Sequence, residues 1–166
     1  MIKDSARWLL IPLTAVTAAF LINMFLIITA IVPSESMADT IDKGTIIVAS
    51  RLAYKNKTPQ RGDIVIFTHD ELDAKYIVKR VIALPGESIR IEEGRVYING
   101  SDSPLEESYV NEFSDDFFEE TTVPDGSYFV LGDNRCHSYD SREWSEPFVL
   151  FGDIKAKACF KLFGKL

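Results

Sequence analysis

The chain has 166 residues, 46% of them hydrophobic, and a formal net charge of −7. That acidity argues against nucleic acid as a partner and carries no information about fold. Beyond the first apolar segment the length is that of one ordinary domain, roughly 100 to 200 residues.

The N-terminal apolar run comes first. From Trp8 to Ile31 no side chain is charged, and about 20 apolar residues are enough to cross a bilayer core as a helix. The expectation is a cytoplasmic N-terminus over 1–7, a transmembrane helix over 8–31 and an extracytoplasmic domain over 32–166. Lys3 and Arg7 precede the run. Basic residues tend to stay on the cytoplasmic side, and acidic ones such as Asp4 weigh little in that rule. Asn23 is the only strongly polar interior member, and an amide costs far less there than a charge. Pro12 lies near the first turn, where proline is tolerated. A cleavable secretory signal shares the basic-then-apolar pattern but has a shorter apolar core, roughly 7 to 15 residues.

Downstream the pattern is that of strands. Short β-branched runs recur at Thr45 to Ala49, Asp63 to Phe67, Lys75 to Leu84, Ser88 to Ile91, Arg95 to Ile98, Ser127 to Leu131 and Asp153 to Phe160. Between them stand Arg61-Gly62-Asp63, Leu84-Pro85-Gly86, Glu93-Gly94 and Pro124-Asp125-Gly126, residues that supply turn geometry. Glu92-Glu93-Gly94 between two alternating runs reads as a hairpin. The fold class is therefore mainly β. Glu106, Glu107, Glu112, Asp115, Asp116, Glu119 and Glu120 make an acidic stretch that reads as a solvated excursion, with Phe113, Phe117 and Phe118 packing one side down. Cys136 and Cys159 fall in the outward part, where oxidation is allowed but not required. The closing segment from Cys159 to Leu166 is too short for a second span and reads as a frayed tail.

Two features carry chemistry. Val32-Pro33-Ser34-Glu35-Ser36-Met37 follows the apolar run directly, and Lys79 is embedded in the apolar strand Tyr76-Ile77-Val78-Lys79-Arg80-Val81-Ile82. A lysine amine in a dry pocket loses its proton readily and can then take one from a serine hydroxyl. Read alone, Lys79 also fits a surface lysine on an edge strand whose ammonium reaches water. A Ser-His-Asp arrangement using His137 and Asp140 is the competing catalytic pattern. His69, His137, Cys136 and Cys159 lack zinc-like spacing, and no Gly-rich phosphate loop is present. No metal and no cofactor is expected.

At these residues the chain resembles the bacterial type I signal peptidases, membrane-anchored serine proteases that remove signal peptides from exported proteins. Four collinear segments carry the likeness: Val32 to Met37, Gly62 to Phe67, Tyr76 to Glu87, and Gly132 to Arg142. The resemblance implies an antiparallel coiled-sheet catalytic domain after one N-terminal transmembrane helix, held single-pass in the bacterial cell membrane with its active site outside. It implies Ser36 as nucleophile, Lys79 as general base, Ser34 as oxyanion donor, Ser138 as the group orienting the lysine, and Asp140 with Arg142 as a supporting pair. Val32, Ile77 and Val78 would line shallow pockets for small residues before the cut. The partners implied are signal-peptide-bearing preproteins and membrane lipid.

Three places depart from the family pattern. Ala38-Asp39-Thr40 stands where a proline usually precedes the threonine, Cys136-His137 replaces more polar sequence, and Ser145-Glu146-Pro147 replaces a glycine-led turn. These departures keep open an alternative, a specialised or catalytically silent paralogue acting as a pilus or secretion assembly factor.

Overall fold

The computed structural model of the protein describes residues 2–38, 40–72 and 74–163. Helix α1 runs from Ile2 to Phe25 with Pro12 inside it. It is shorter at its C-terminal end than the apolar run, because Ile27–Ile31 turn away as strand β1. The expected helix over 8–31 is corrected accordingly: its last residues pair antiparallel with β2, Ile46–Ser50, from Ile27 opposite Ser50 to Ile31 opposite Ile46. β-Branched Ile27, Ile28, Thr29 and Ile31 suit a pleated, half-buried surface. Ile28 goes into the core and Ile31 stays 66% exposed, the alternation of a strand and not of a lipid-facing helix. Among the described residues no helix is long and apolar enough to cross a membrane. The side chains of Lys3, Arg7 and Asn23 lie outside the described ones, as do Asp39 and residues 164–166.

The remaining strands are β3 at Ile64–Phe67, β4 at Ile77–Ala83, β5 at Ser88–Glu92, β6 at Arg95–Ile98, β7 at Phe118–Thr122, β8 at Ser127–Leu131, β9 at Val149–Leu150 and β10 at Ile154–Phe163. They form an antiparallel seven-stranded sheet in the order β1-β2-β10-β3-β4-β8-β9 and a three-stranded sheet in the order β6-β5-β7. The mainly β expectation holds, and each strand run predicted from the sequence has its counterpart. The turn at Glu93 and Gly94 closes the predicted hairpin with φ of 50 and 72, the pair of positive values that a two-residue turn matched to strand twist requires.

Two expectations change. The C-terminal segment is not a frayed tail up to Phe163: β10 lies between β2 and β3. Its pairing with β2 shifts register between Ala158 and Phe160 and between Lys161 and Phe163, irregularities that bend a strand and raise its twist. The acidic stretch is not solvated throughout: Glu107 is buried, and the end of the stretch forms β7, which pairs with β5. Phe118 meets Phe129 edge-on at 4.9 Å, while Phe117 is 70% exposed.

The core divides about the seven-stranded sheet. Ile28, Val32, Met37, Ile41, Ile47, Ile66 and Val78 form one cluster, which puts Met37 directly beneath the turn that carries Ser36. Ile82, Ile89, Ile91, Val96, Val123, Phe129 and Leu131 join the small sheet to the ends of β4 and β8. Val65, Phe67, Val81, Tyr128, Val130 and Trp144 fill a third cluster. Strand β4 contributes to all three, so its position is determined from several sides at once.

Candidate active site

Strand β4 is an interior strand, flanked by β3 through Val65 opposite Lys79 and by β8 through Arg80 opposite Leu131. Lys79 is consequently 3% exposed, which removes the edge-strand reading in which its ammonium reaches water. Successive side chains on a strand point to opposite faces. Lys79 Nζ donates to Ser138 Oγ at 2.8 Å, while neighbouring Arg80 grips Asp133 through Nε at 2.7 Å and Nη2 at 2.6 Å.

Ser36 sits in the turn after β1, also buried. Two bonds tie that turn to the loop after β8: Asn134 donates from its backbone N–H to the Ser36 carbonyl and from Nδ2 to the Glu35 carbonyl, each at 3.1 Å. Gly132 allows the close approach, since a side chain there would run into Ser138 Oγ and the Ser36 carbonyl. Ser34 Oγ lies 3.2 Å from Ser36 Oγ. Among the described residues nothing accepts the Ser36 backbone N–H. That N–H and the Ser34 hydroxyl, which can donate or accept in its contact with Ser36, are groups of the kind able to meet negative charge growing on a carbonyl.

Val32, Ser34, Ser36, Ile77, Val78 and Lys79 line one cavity of about 450 Å³. Ser138, Asp140 and Arg142 stand behind it: Ser138 Oγ donates to Asp140 Oδ2 at 2.6 Å, and Arg142 clamps Asp140 through Nε to Oδ1 at 2.8 Å and Nη2 to Oδ2 at 2.9 Å. Ser34, Ser36, Lys79, Ser138, Asp140, Arg142, Val32, Ile77 and Val78, the residues of the serine–lysine reading, are brought to this place. Among the described residues no direct hydrogen bond joins Ser36 Oγ to Lys79 Nζ; the two face the same cavity, each held by a different serine. Such bonds are often long before substrate arrives.

The Ser138 hydroxyl proton is committed to Asp140, so Ser138 can only accept from Lys79. One N–H of the amine is used there, and its lone pair is left for the cavity. Burial lowers the Lys79 pKa from 10.5 to about 8. Asp140 opposes that shift by attraction and Arg142 reinforces it by repulsion. A neutral amine at this position is a competent proton acceptor near neutral pH.

His137 lines the cavity from the 3₁₀ turn Arg135–His137, but its Nδ1 faces Asn134 Oδ1 at 3.3 Å. The Asp140 carboxylate is taken by Ser138, Arg142 and the Gly132 N–H, so no Ser-His-Asp relay is assembled. His69 stacks on Trp144 at 4.2 Å and lies outside the cavity. Cys136 and Cys159 are exposed and free.

Sequence reasoning gave no role to Gly132, Asp133, Arg80, Arg135 or Glu107. Asp133 is fully buried and accepts from Thr40 Oγ1 at 2.5 Å as well as from Arg80, tying β4 to the segment after Ser36. Gly132, Asp133 and Arg135 fall in a segment that resembled the family, and that was their only signal. The departure at Ser145-Glu146 is compensated by Glu71, whose carboxylate takes both backbone N–H groups at 3.2 and 2.9 Å.

A family model described as signal peptidase, peptidase S26, matches residues 5–163. Probable signal peptidase I-1 of Synechocystis sp. is 35% identical over 169 residues, covering 98% of this chain and 83% of that protein. Probable signal peptidase I-2 of the same organism is 38% identical over 145 residues, covering 82% of this chain and 66% of that protein, so the chain spans about two thirds of the second relative's length. A crystal structure of a signal peptidase I from Enterococcus faecalis V583 aligns with a TM-score of 0.52 at 36% identity, covering 61% of this chain and 97% of that one. With the match extending over nearly the whole length and through all the residues of the cavity, this chain belongs to the signal peptidase family, peptidase S26, among the bacterial type I signal peptidases.

Proposed function

We propose that the chain is a serine endopeptidase that cleaves signal peptides from exported preproteins with Ser36 as nucleophile and Lys79 as general base. The observation that carries this is a buried lysine amine, lowered toward neutral pH and held by Ser138, lining one cavity with Ser36 and with Ser34, whose hydroxyl lies 3.2 Å from that of Ser36. The neutral amine takes the Ser36 proton as Oγ attacks the scissile carbonyl, and the resulting ammonium gives it to the leaving amine. An acyl-Ser36 ester remains. Lys79, neutral again, then takes a proton from water as the water oxygen attacks the ester carbonyl, and the ammonium returns that proton to Ser36 Oγ as the acid product leaves. The Ser36 N–H and Ser34 hydroxyl stabilise the oxyanion in both halves.

Specificity follows from shape. Val32 and Val78 are 2% and 8% exposed and Ile77 is partly buried, so the cavity wall is packed and apolar. A packed apolar wall suits small apolar residues such as alanine before the cut. The proposal extends to location: α1 anchors the chain at a bacterial membrane, its catalytic domain outside. Support comes from the sequence, in which the run from Trp8 to Phe25 carries no charge and falls within the roughly 17 to 25 residues that a spanning helix uses; the side chains of Leu9 and Asn23 in that run lie outside the described ones.

Incubated with a secretory preprotein, the wild-type chain should release the mature protein with a cut after a small residue. Ser36→Ala and Lys79→Ala should leave it whole, and Ser34→Ala should slow turnover about a hundredfold to a thousandfold, the usual cost of one oxyanion donor. Uncut precursor with all four proteins would favour the silent assembly factor. Because the folded pKa of Lys79 is lowered, the base form is lost as pH falls, so kcat/KM should rise with pH through a midpoint near 8. A profile flat from pH 6 to about 10 would remove Lys79 as the base. The same sign governs stability: folding disfavours the ammonium, a penalty present in full below about 8 and relieved as pH rises toward 10.5. Expressed in bacteria, the chain should stay with the membrane fraction after alkaline extraction; full release into the wash would refute the anchor.

A further inference from the structure

The acidic excursion between β6 and β7 has no part in the chemistry above, yet it supplies two carboxylates to the loop behind the site. Glu107 pairs in two-pronged fashion with Arg135, Nη1 to Oε2 at 3.0 Å and Nη2 to Oε1 at 2.5 Å, and the two side chains are 0% and 1% exposed. Tyr109 donates to Glu107 Oε1 at 2.8 Å, and its ring lies 4.0 Å below the Arg80 guanidinium, the residue next to Lys79. Asp116 accepts from Arg142 Nη1, which also reaches Ser114 Oγ at 3.1 Å. The hairpin turn steadies this end, since the Gly94 N–H donates to the Asp116 carbonyl at 2.9 Å.

Stability is a poor reason for a buried ion pair, because apolar packing of the same volume does as well or better. Position is a better one. Arg135 Nε donates to the Gly132 carbonyl at 3.1 Å, and the Arg135 carbonyl accepts from Arg142 Nη2 at 2.9 Å. Arg142 holds Asp140, Asp140 holds Ser138, and Ser138 holds Lys79. The chain of bonds behind the amine thus begins at both ends on the excursion.

We propose that Glu107 and Asp116 are positioning residues for the reaction: they pin Arg135 and Arg142 so that Ser138 stands where it orients the Lys79 amine. This rests on the Ser36 and Lys79 reading and extends it to a segment that otherwise reads as surface.

The test uses the full chain in lipid vesicles, with kcat and KM measured on one signal-peptide substrate for wild type, Ser36→Ala, Ser138→Ala, Glu107→Gln, Asp116→Asn and each of the last two combined with Ser138→Ala. Activity in wild type and its loss in Ser36→Ala secure the underlying reading. Glu107→Gln should lower kcat about tenfold to a hundredfold with KM within about twofold, and Asp116→Asn about threefold to tenfold. Each double variant should be no slower than Ser138→Ala alone within about threefold, because the link acts through Ser138. Effects that multiply in the doubles, a rise in KM at constant kcat, or wild-type rates in both single variants would overturn the proposal. If thermal unfolding shows that Glu107→Gln does not fold, Asp116→Asn decides, since the Asp116 side chain is 42% exposed and Arg142 keeps Asp140 as its partner. An inactive wild type would remove the reading and the proposal together.

Discussion

Burying one amine imposes the order found around it. Lys79 lies on an interior strand and is 3% exposed, so its N–H groups must find protein acceptors. Ser138 is that acceptor, and it is free to accept only because its own proton goes to Asp140. Asp140 in turn is a fully buried carboxylate, which needs Arg142 beside it. Each group admitted to the interior requires the next. The sequence continues until Asp116, where the ion pair reaches solvent, and on the other branch until Glu107 closes against Arg135. Replacing any middle member leaves a buried charge or donor uncompensated, the expensive case for a protein interior.

The same network sets the amine's chemistry. Desolvation is the largest influence on Lys79 and moves it down to about 8. Asp140 opposes that shift by attraction, and Arg142 works against Asp140 by repelling the ammonium. Arg142 therefore serves twice in the proposed mechanism, fixing the carboxylate that orients Ser138 and favouring the neutral amine.

What the sequence made legible was local. Alternating β-branched runs and the Glu93-Gly94 turn are short-range signals, and the strands and hairpin stand where those signals lie. Hydropathy could not divide the N-terminal run, because a half-buried apolar strand such as Ile27–Ile31 and the end of an apolar helix are equally free of charge. The segment from Cys159 to Phe163 reads as a tail because it is short and basic, and only its pairing with β2, far away in the chain, brings it into the sheet. Ser36 and Lys79 were readable because each departs from its surroundings, a serine after an apolar run and a charge inside an apolar strand. Glu107 was not: among seven acidic residues it differs only in its partner, Arg135, which is close in space and 28 positions away in the chain.

In the structure Ser36 and Lys79 face one cavity, each bonded to a different serine. The proposed mechanism requires that they meet once a carbonyl is bound. The direct measurement is a crystal structure of the chain reacted with a peptide aldehyde ending in alanine. The account predicts a covalent bond to Ser36 Oγ, with Lys79 Nζ within about 3 Å of that oxygen and the former carbonyl oxygen facing Ser34 and the Ser36 N–H. An adduct on any other residue, or one on Ser36 with Lys79 turned away from Oγ, would contradict it.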